Sequence, residues 1–433
     1  MNTSQRVTLI LLALSVIAGV ATGEKLYYRL SYLWGFLLAG SWIWSRLSIR
    51  GLKVDRSARA LRAQVGQIFE ERFDVHNQSR MPRLWLEVND ESTLPGSEGS
   101  RVLTMIEGRQ GRSYLARTRL VQRGVFPLGP TVLASGDIFG IFPISMHIPA
   151  KDTLLVYPMM VDVQYFPNPP GLLPGGEALR RRTHQITPNA AGVREYVHGD
   201  PQNRIHWLSS ARRNRLMVKE FELDPLADVW IFLDAAQSTQ HALPRPPLDF
   251  RVQDLWQRNI KIELPPSTEE YGISIAASLV RDYLRRGRSV GLVSSGSYLA
   301  LIPPDRGGRQ LGKILEALAI LRAEGEVPLR GLVETQVKHM VKGSSVVLIT
   351  PSTHHEMVIV AEYLLRRGLK PVVVLIDSVT FGGPDGSAEL AIQIRSMGMP
   401  VRLVRNGVEL ELSLAEDFNL NRGSTRNTPT EGA

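Results

Sequence analysis

Four places in the chain carry residue types and spacings that could do chemistry. The first is Asp234-Ala235-Ala236-Gln237-Ser238, directly after the apolar run Val229–Leu233. A carboxylate and a hydroxyl at the end of a strand are donors that a hard divalent cation accepts in near-octahedral geometry, with one position open for a partner's carboxylate. The second, GGRQLGKI, repeats the Gly-x-x-x-x-Gly-Lys spacing of a phosphate loop at Gly307, Gly312 and Lys313. Its next residue is Ile314, so magnesium would lack its loop hydroxyl, and Ile314, Leu315, Leu318 and Leu321 recur at helical spacing. It reads as a packed helix. The third, His354-His355-Glu356, has no third ligand at zinc spacing, and adjacent histidines in a loop diverge; it reads as surface.

The fourth and densest is Gly192–Glu222. Residues 180–222 hold nine Lys or Arg against four acids, more than half of the net charge of +9. Asp200-Pro201 is a helix-start signal, Asp as cap and Pro at the first helical position. A helix from there places Arg204, Trp207, Leu208 and Ala211 on one face. Arg194, Glu195, Tyr196, Asp200, Arg204, Trp207 and Arg212 are the candidate binding residues. Two readings stay open: an ion-pair network of Arg194, Glu195, Asp200, Arg204, Arg212 and Glu220 that docks one domain on another, or a face for an acidic partner. Arg180-Arg181-Arg182 lacks the interleaved aromatics of a nucleic-acid surface, so no nucleic acid is expected.

No nucleophile elbow, zinc helix or dinucleotide fingerprint is present. With no cysteine, thiolate zinc sites, disulfides and cysteine nucleophiles are excluded, which fits a reducing compartment. Nothing completes a catalytic set, and no enzyme activity is expected.

The elements that must position these residues follow from patterning. Val7–Gly23 is uncharged, and Leu26–Trp44 is apolar except for Arg29 and rich in Tyr and Trp, which collect at headgroup depth. Residues 1–50 therefore read as a transmembrane hairpin rather than a cleaved signal peptide. Arg46, Arg50, Lys53, Arg56, Arg59 and Arg62 form a basic collar that puts both termini and the globular domains in the cytoplasm of a multi-pass cell-membrane protein. Residues 51–165 show two-residue alternation, as at Phe69, Glu71, Phe73 and Val75, and read as a small antiparallel β-sandwich. Residues 166–226 form a junction. In 227–415, apolar strands (Val229–Leu233, Ser289–Val293, Ser345–Ile349, Pro371–Ile376, Pro400–Leu403) alternate with helices (Glu269–Arg286, Gly307–Ala323, Glu356–Arg367). That is an α/β domain with a doubly wound, mostly parallel sheet. Residues 416–433 read as a disordered tail.

A resemblance adds to this. Arg123-Gly124-Val125-Phe126, Gly129-Pro130, Asp137 with Phe139-Gly140, Tyr157-Pro158, and then Gly192, Arg194, Tyr196, Gly199-Asp200, Arg204, Ile205, Trp207, Ala211-Arg212 and Val218-Lys219-Glu220 resemble the family called domain of unknown function fifty-eight. That likeness implies a paired membrane helix and β-rich region ahead of a von Willebrand A-like domain. It implies a metal-ion-dependent adhesion motif, D-x-S-x-S, at Asp234 and Ser238, degenerate because Ala236 offers no oxygen, with Thr268 in the threonine's place and Mg²⁺ as the ion. It also implies a partner, a MoxR-type AAA+ ATPase thought to act as a chaperone. The expectation is a membrane-tethered interaction module, an adaptor between that ATPase and a client protein; the alternative is a metal-assisted hydrolase around Asp234.

Overall fold

The computed structural model describes residues 2–164, 166–167, 190–197, 205–221, 228–244 and 263–415. The expected helix start at Asp200-Pro201 and the tail 416–433 lie outside them. Two compact units divide the chain, the first running through Met159 and taking in Leu315–Ile320.

The first unit begins with two helices, α1 (Thr3–Thr22) and α2 (Lys25–Ser48), joined at Gly23-Glu24, where Gly23 adopts the left-handed conformation. Among the described residues α1 alone is long and apolar enough to cross a membrane. Tyr, Trp, Ser and two arginines make α2 more polar, so a span there rests on its aromatic and basic ends and not on hydropathy. Thr8, Ser15 and Gly19 of α1 and Ser41, Ser45 and Ser48 of α2 are buried, small residues of the kind that permit close helix approach.

Ten strands follow: β1 (Leu52–Ala58), β2 (Arg62–Gln64), β3 (Ile68–Asn77), β4 (Arg83–Asp90), β5 (Arg101–Ile106), β6 (Gly111–Arg119), β7 (Gly124–Pro127), β8 (Thr131–Ser135), β9 (Ile144–Ile148) and β10 (Thr153–Tyr157). They form sheets ordered β1-β3-β6, β2-β10-β7 and β5-β4-β8-β9. All pairings are antiparallel except β10 with β2, a departure from the expected purely antiparallel arrangement. Period-two patterning sets the core: Phe69, Phe73 and Val75 of β3 point inward, and Phe73 stacks on Tyr114 at 5.0 Å. Glu71 lies on the same inward face. Arg56, half-buried on β1, answers it with bonds of 2.7 Å to Glu71 and 2.8 Å to Asp90. Burial pushes the Glu71 carboxyl above its ordinary range, against the pull of that guanidinium. Arg56 therefore drops out of the expected basic collar.

In the second unit, β11 (Ala190–Glu195) and β12 (Met217–Phe221) pair antiparallel, with α3 (Trp207–Arg213) between them in sequence. Then come β13 (Val229–Leu233), α4 (Thr268–Arg285), β14 (Val290–Ser295), β15 (Leu299–Asp305), α5 (Gly308–Ile320, of which Leu315–Ile320 groups with the first unit), α6 (Leu329–Gln336), β16 (Ser345–Thr350), α7 (Glu356–Arg366), β17 (Lys370–Ile376), α8 (Ser387–Ser396), β18 (Val401–Val404) and α9 (Leu410–Ala415). The sheet order is β15-β14-β13-β16-β17-β18, parallel except for the edge strand β15. Pro303 and Pro304 fall on β15, and proline is tolerated at an edge. One face buries Trp230, Phe232, Leu348 and Val373 under α6, α7 and α8. On the other lies α4, whose Gly272 sits close to Leu233, Ile349 and Ile376. In the phosphate-loop look-alike, Gln310 at the start of α5 is buried and donates to the Val290 and Pro303 carbonyls. It ties that segment to the sheet.

Candidate functional site

In strand order β14-β13-β16, the chain runs from central β13 to β14 on one side and later enters β16 on the other. The crevice at such a reversal, at the carboxyl ends of the strands, is where open α/β sheets bind ligands. Asp234 follows β13 and Thr350 ends β16, so both lie at that point. Here the two are joined: the Thr350 hydroxyl donates to Asp234 Oδ2 at 2.6 Å, and the Ala236 amide donates to Oδ1 at 3.2 Å. Ser352 in turn donates its amide to the Thr350 hydroxyl at 2.9 Å.

Asp234 is 5% exposed, and burial pushes its carboxyl above the ordinary aspartate range, opposed by the bonds from Thr350 and Ala236. Thr268, also buried, has its hydroxyl engaged by protein groups. Its hydroxyl donates to Gln240 Oε1 at 2.8 Å and accepts the His241 amide at 2.9 Å. Gln240 Nε2 then reaches the Asp234 carbonyl at 3.0 Å. Asp234 and Thr268 thus belong to one bonded cluster, while Ser238 is exposed on the turn Gln237–Thr239. Asp377, beyond β17, is paired with Arg405 at 3.1 Å.

A backbone clasp seals the cluster from the side. Gly325 donates to the Ala235 carbonyl at 3.0 Å and accepts the Gln237 amide at 2.8 Å. A Cβ at Gly325 would stand 2.0 Å from the Ser295 carbonyl oxygen, so only glycine lets these segments meet.

This donor set does not fit a divalent cation. It offers one carboxylate, a methyl group at Ala236 where an oxygen is needed, and Thr350 and Thr268 hydroxyls already engaged with protein partners, while Ser238 lies out on the exposed turn. Among the described residues no group of three His, Asp or Glu side chains could hold a metal.

The second candidate is α3 and its frame. Ile205 bridges to Val218, and His206 is the helix cap, its ring accepting the Ser209 amide at 3.3 Å. Among the described residues α3 starts at Trp207, directly after the non-helical residues 205 and 206. Ser210 locks it to β12, accepting the Met217 amide at 2.8 Å and donating to the His206 carbonyl at 3.0 Å. Asn214 closes it in the left-handed conformation. This frame presents Trp207, 69% exposed, with Leu208, Arg212, Arg213 and Arg215 also in solvent.

Glu195 is exposed and pairs with Arg215 at 3.4 Å; Tyr196 is half-buried, its amide bonded to the Leu216 carbonyl. Arg194 lies opposite Val218 in the strand pair. Asp200 and Arg204 fall outside the described residues. Sequence reasoning named Trp207 but missed Thr350, His206 and Ser210. Thr350 carries no signal beyond closing an apolar run, and His206 and Ser210 stand in a basic stretch where serine and histidine do not stand out.

Residues 192–245, which hold both clusters' leading residues, match the family described as "Protein of unknown function DUF58". An uncharacterized protein of Bacillus subtilis (strain 168), YeaD, is 25% identical over 245 residues, 56% of this chain and 54% of its own length. This chain thus spans about half of that curated relative. Among solved structures, a GH20 exo-β-N-acetylglucosaminidase from Vibrio harveyi aligns over 80% of this chain and 59% of its own, at 9% identity and a TM-score of 0.17. A cycloisomaltooligosaccharide glucanotransferase from Paenibacillus aligns over 81% and 52%, at 10% identity and a TM-score of 0.16. Likeness that slight carries no argument about fold or activity.

Proposed function

We propose that this chain is a membrane-tethered protein–protein interaction module, an adaptor or client-recognition partner of a MoxR-type AAA+ ATPase. The observation that carries this reading is the exposure of Trp207 on a rigidly framed helix among arginines. Tryptophan and arginine are the residue types that dominate binding hot spots, and a large ring held in water is costly unless a partner covers it. If α3 were only an internal dock, Trp207 and Leu208 would be buried.

The basic surroundings select a partner with an acidic face and speed its encounter. In the same reading α1 and α2 both cross the bilayer, with Trp42 and Trp44 at headgroup depth and the globular units in the cytoplasm beside the ATPase. A von Willebrand A-like recognition domain accounts for the α/β unit, with the Asp234 apex serving as a closed structural end. The metal-assisted hydrolase has no supporting observation, since its carboxylate lacks both a cation site and a neighbouring base.

The test is a titration of the full chain, embedded in nanodiscs, with the MoxR-type ATPase of the same cell. Saturable binding that weakens with added salt and with Arg212→Glu is expected. Absence of binding, or binding indifferent to both changes, would remove the adaptor reading.

A further inference from the structure

The base of the first unit carries an apolar wedge that nothing in the adaptor reading uses. Ile138 and Phe139 are 62% and 61% exposed. They are not on a floppy tip. Asp137, buried beneath them, accepts the Phe139 amide at 3.0 Å and the Phe142 amide at 2.6 Å. Gly140 closes the turn in the left-handed conformation, with its amide on the Asp137 carbonyl. Two large apolar side chains thus stand exposed on a turn bonded at the Phe139, Gly140 and Phe142 amides.

The turn is tied to α2. Ser45 donates its hydroxyl to the Phe142 carbonyl at 2.6 Å, and Trp42, Arg46 and Pro143 line the same recess. Arg83, buried at the start of β4, donates to the Leu47 and Arg50 carbonyls at 2.5 and 2.6 Å, capping the last turn of α2 and holding the sheet against it. The far end of the wedge's turn, Phe142 and Pro143, thus lies beside Trp42 and Arg46, a pair at 5.6 Å of the kind found at headgroup depth.

Exposed arginines share this end. Arg50 leads into Gly51, whose carbonyl accepts the Gln78 amide, and Arg80 follows close behind. Arg109 donates its amide to the Ser79 carbonyl. Glu107 is the acid among them.

We propose that this end rests on an anionic bilayer surface, with Ile138 and Phe139 inserted among the headgroups and Arg46, Arg50, Arg80 and Arg109 on lipid phosphates. This rests on the reading of α2 as a membrane helix. An apolar pair beside a cluster of cations is the composition that binds such an interface, apolar burial and charge attraction adding together. Anchoring at two points would hold the first unit upright on the membrane instead of letting it swing from α2.

The native chain has no cysteine, so each introduced one can carry a single environment-sensitive dye. Phe139→Cys, Ile138→Cys, Phe36→Cys on α2 and Ile68→Cys are labelled in the full chain, in nanodiscs of mixed neutral and anionic phospholipid with or without shallow doxyl-lipid quencher. Ile68 begins β3, nine residues from the Asn77 end, roughly 30 Å up the strand. Blue-shifted, quenched emission at 138, 139 and 36, with none at 68, is the expected result. Quenching at 36 but at neither 138 nor 139 would overturn the wedge and leave the anchor standing. Quenching at none of the four would overturn both.

Discussion

The Asp234 apex and the α3 helix lie in the same unit and in the same matched segment, yet they are built in opposite ways. At the apex the buried polar groups are turned inward: the carboxylate meets Thr350 and an amide, Thr268 meets Gln240, and Gly325 closes the side. At α3 the polar groups with fixed partners, His206 and Ser210, form the frame, while Trp207 and the arginines face solvent. The contrast shows that a chemically suggestive residue is a site only if its donors remain unspent.

If that contrast is right, substitutions should separate stability from binding. Gly325→Ala should be the most damaging, costing about 3 kcal/mol of stability because its Cβ meets a backbone carbonyl, read as the urea midpoint. A shift within experimental scatter would mean the clasp is loose. Trp207→Ala should reverse the pattern: stability within about 0.5 kcal/mol of the parent, but ATPase binding weakened by about 2 kcal/mol, roughly thirtyfold. Equal loss of both would return Trp207 to a packing role.

Asp234→Ala should cost about 1–3 kcal/mol by leaving the Thr350 hydroxyl and the Ala236 amide short of a partner, and Mg²⁺ should not change the melting temperature of the parent. A magnesium-dependent rise abolished by this substitution would reopen the cation site.

The pH dependence sharpens the point. A carboxyl held above its ordinary value of 3.8 supplies stability that is full below that value and lost as pH rises through the folded-state pKa. Asp234→Asn, whose amide never ionises, should therefore compare better with the parent as pH rises from the acid range toward neutrality. A comparison that worsens with pH would show the carboxylate to be stabilised by its site. The smallest effect belongs to Glu195→Ala, within about 0.5 kcal/mol, because its pair with Arg215 is exposed and long.

Much of the α/β sheet was legible in the sequence. Val229–Leu233 and residues 346–349 are continuous runs of mostly β-branched and large apolar residues, which suit strands buried on both faces. The edge strand β15 was not, since Pro303-Pro304 reads as a break, and only its place at the sheet margin makes proline acceptable. In the first unit, the period of β3 was plain, but not that Arg56 would turn inward to meet Glu71; pairing between distant strands decides that. The candidate site was half legible. Asp234 announced itself by following a strand, but whether its oxygens were free depended on Thr350, more than a hundred residues away. Trp207 was named, though helical spacing alone does not say whether the face it lies on is covered or open to water.

The central claim is that α3 meets another protein at Trp207. The direct test is a photo-reactive phenylalanine analogue in place of Trp207, illuminated in native membranes, with the adducts identified by mass spectrometry. The account predicts a cross-link to the MoxR-type ATPase or its client. Adducts confined to this chain's own residues would contradict it.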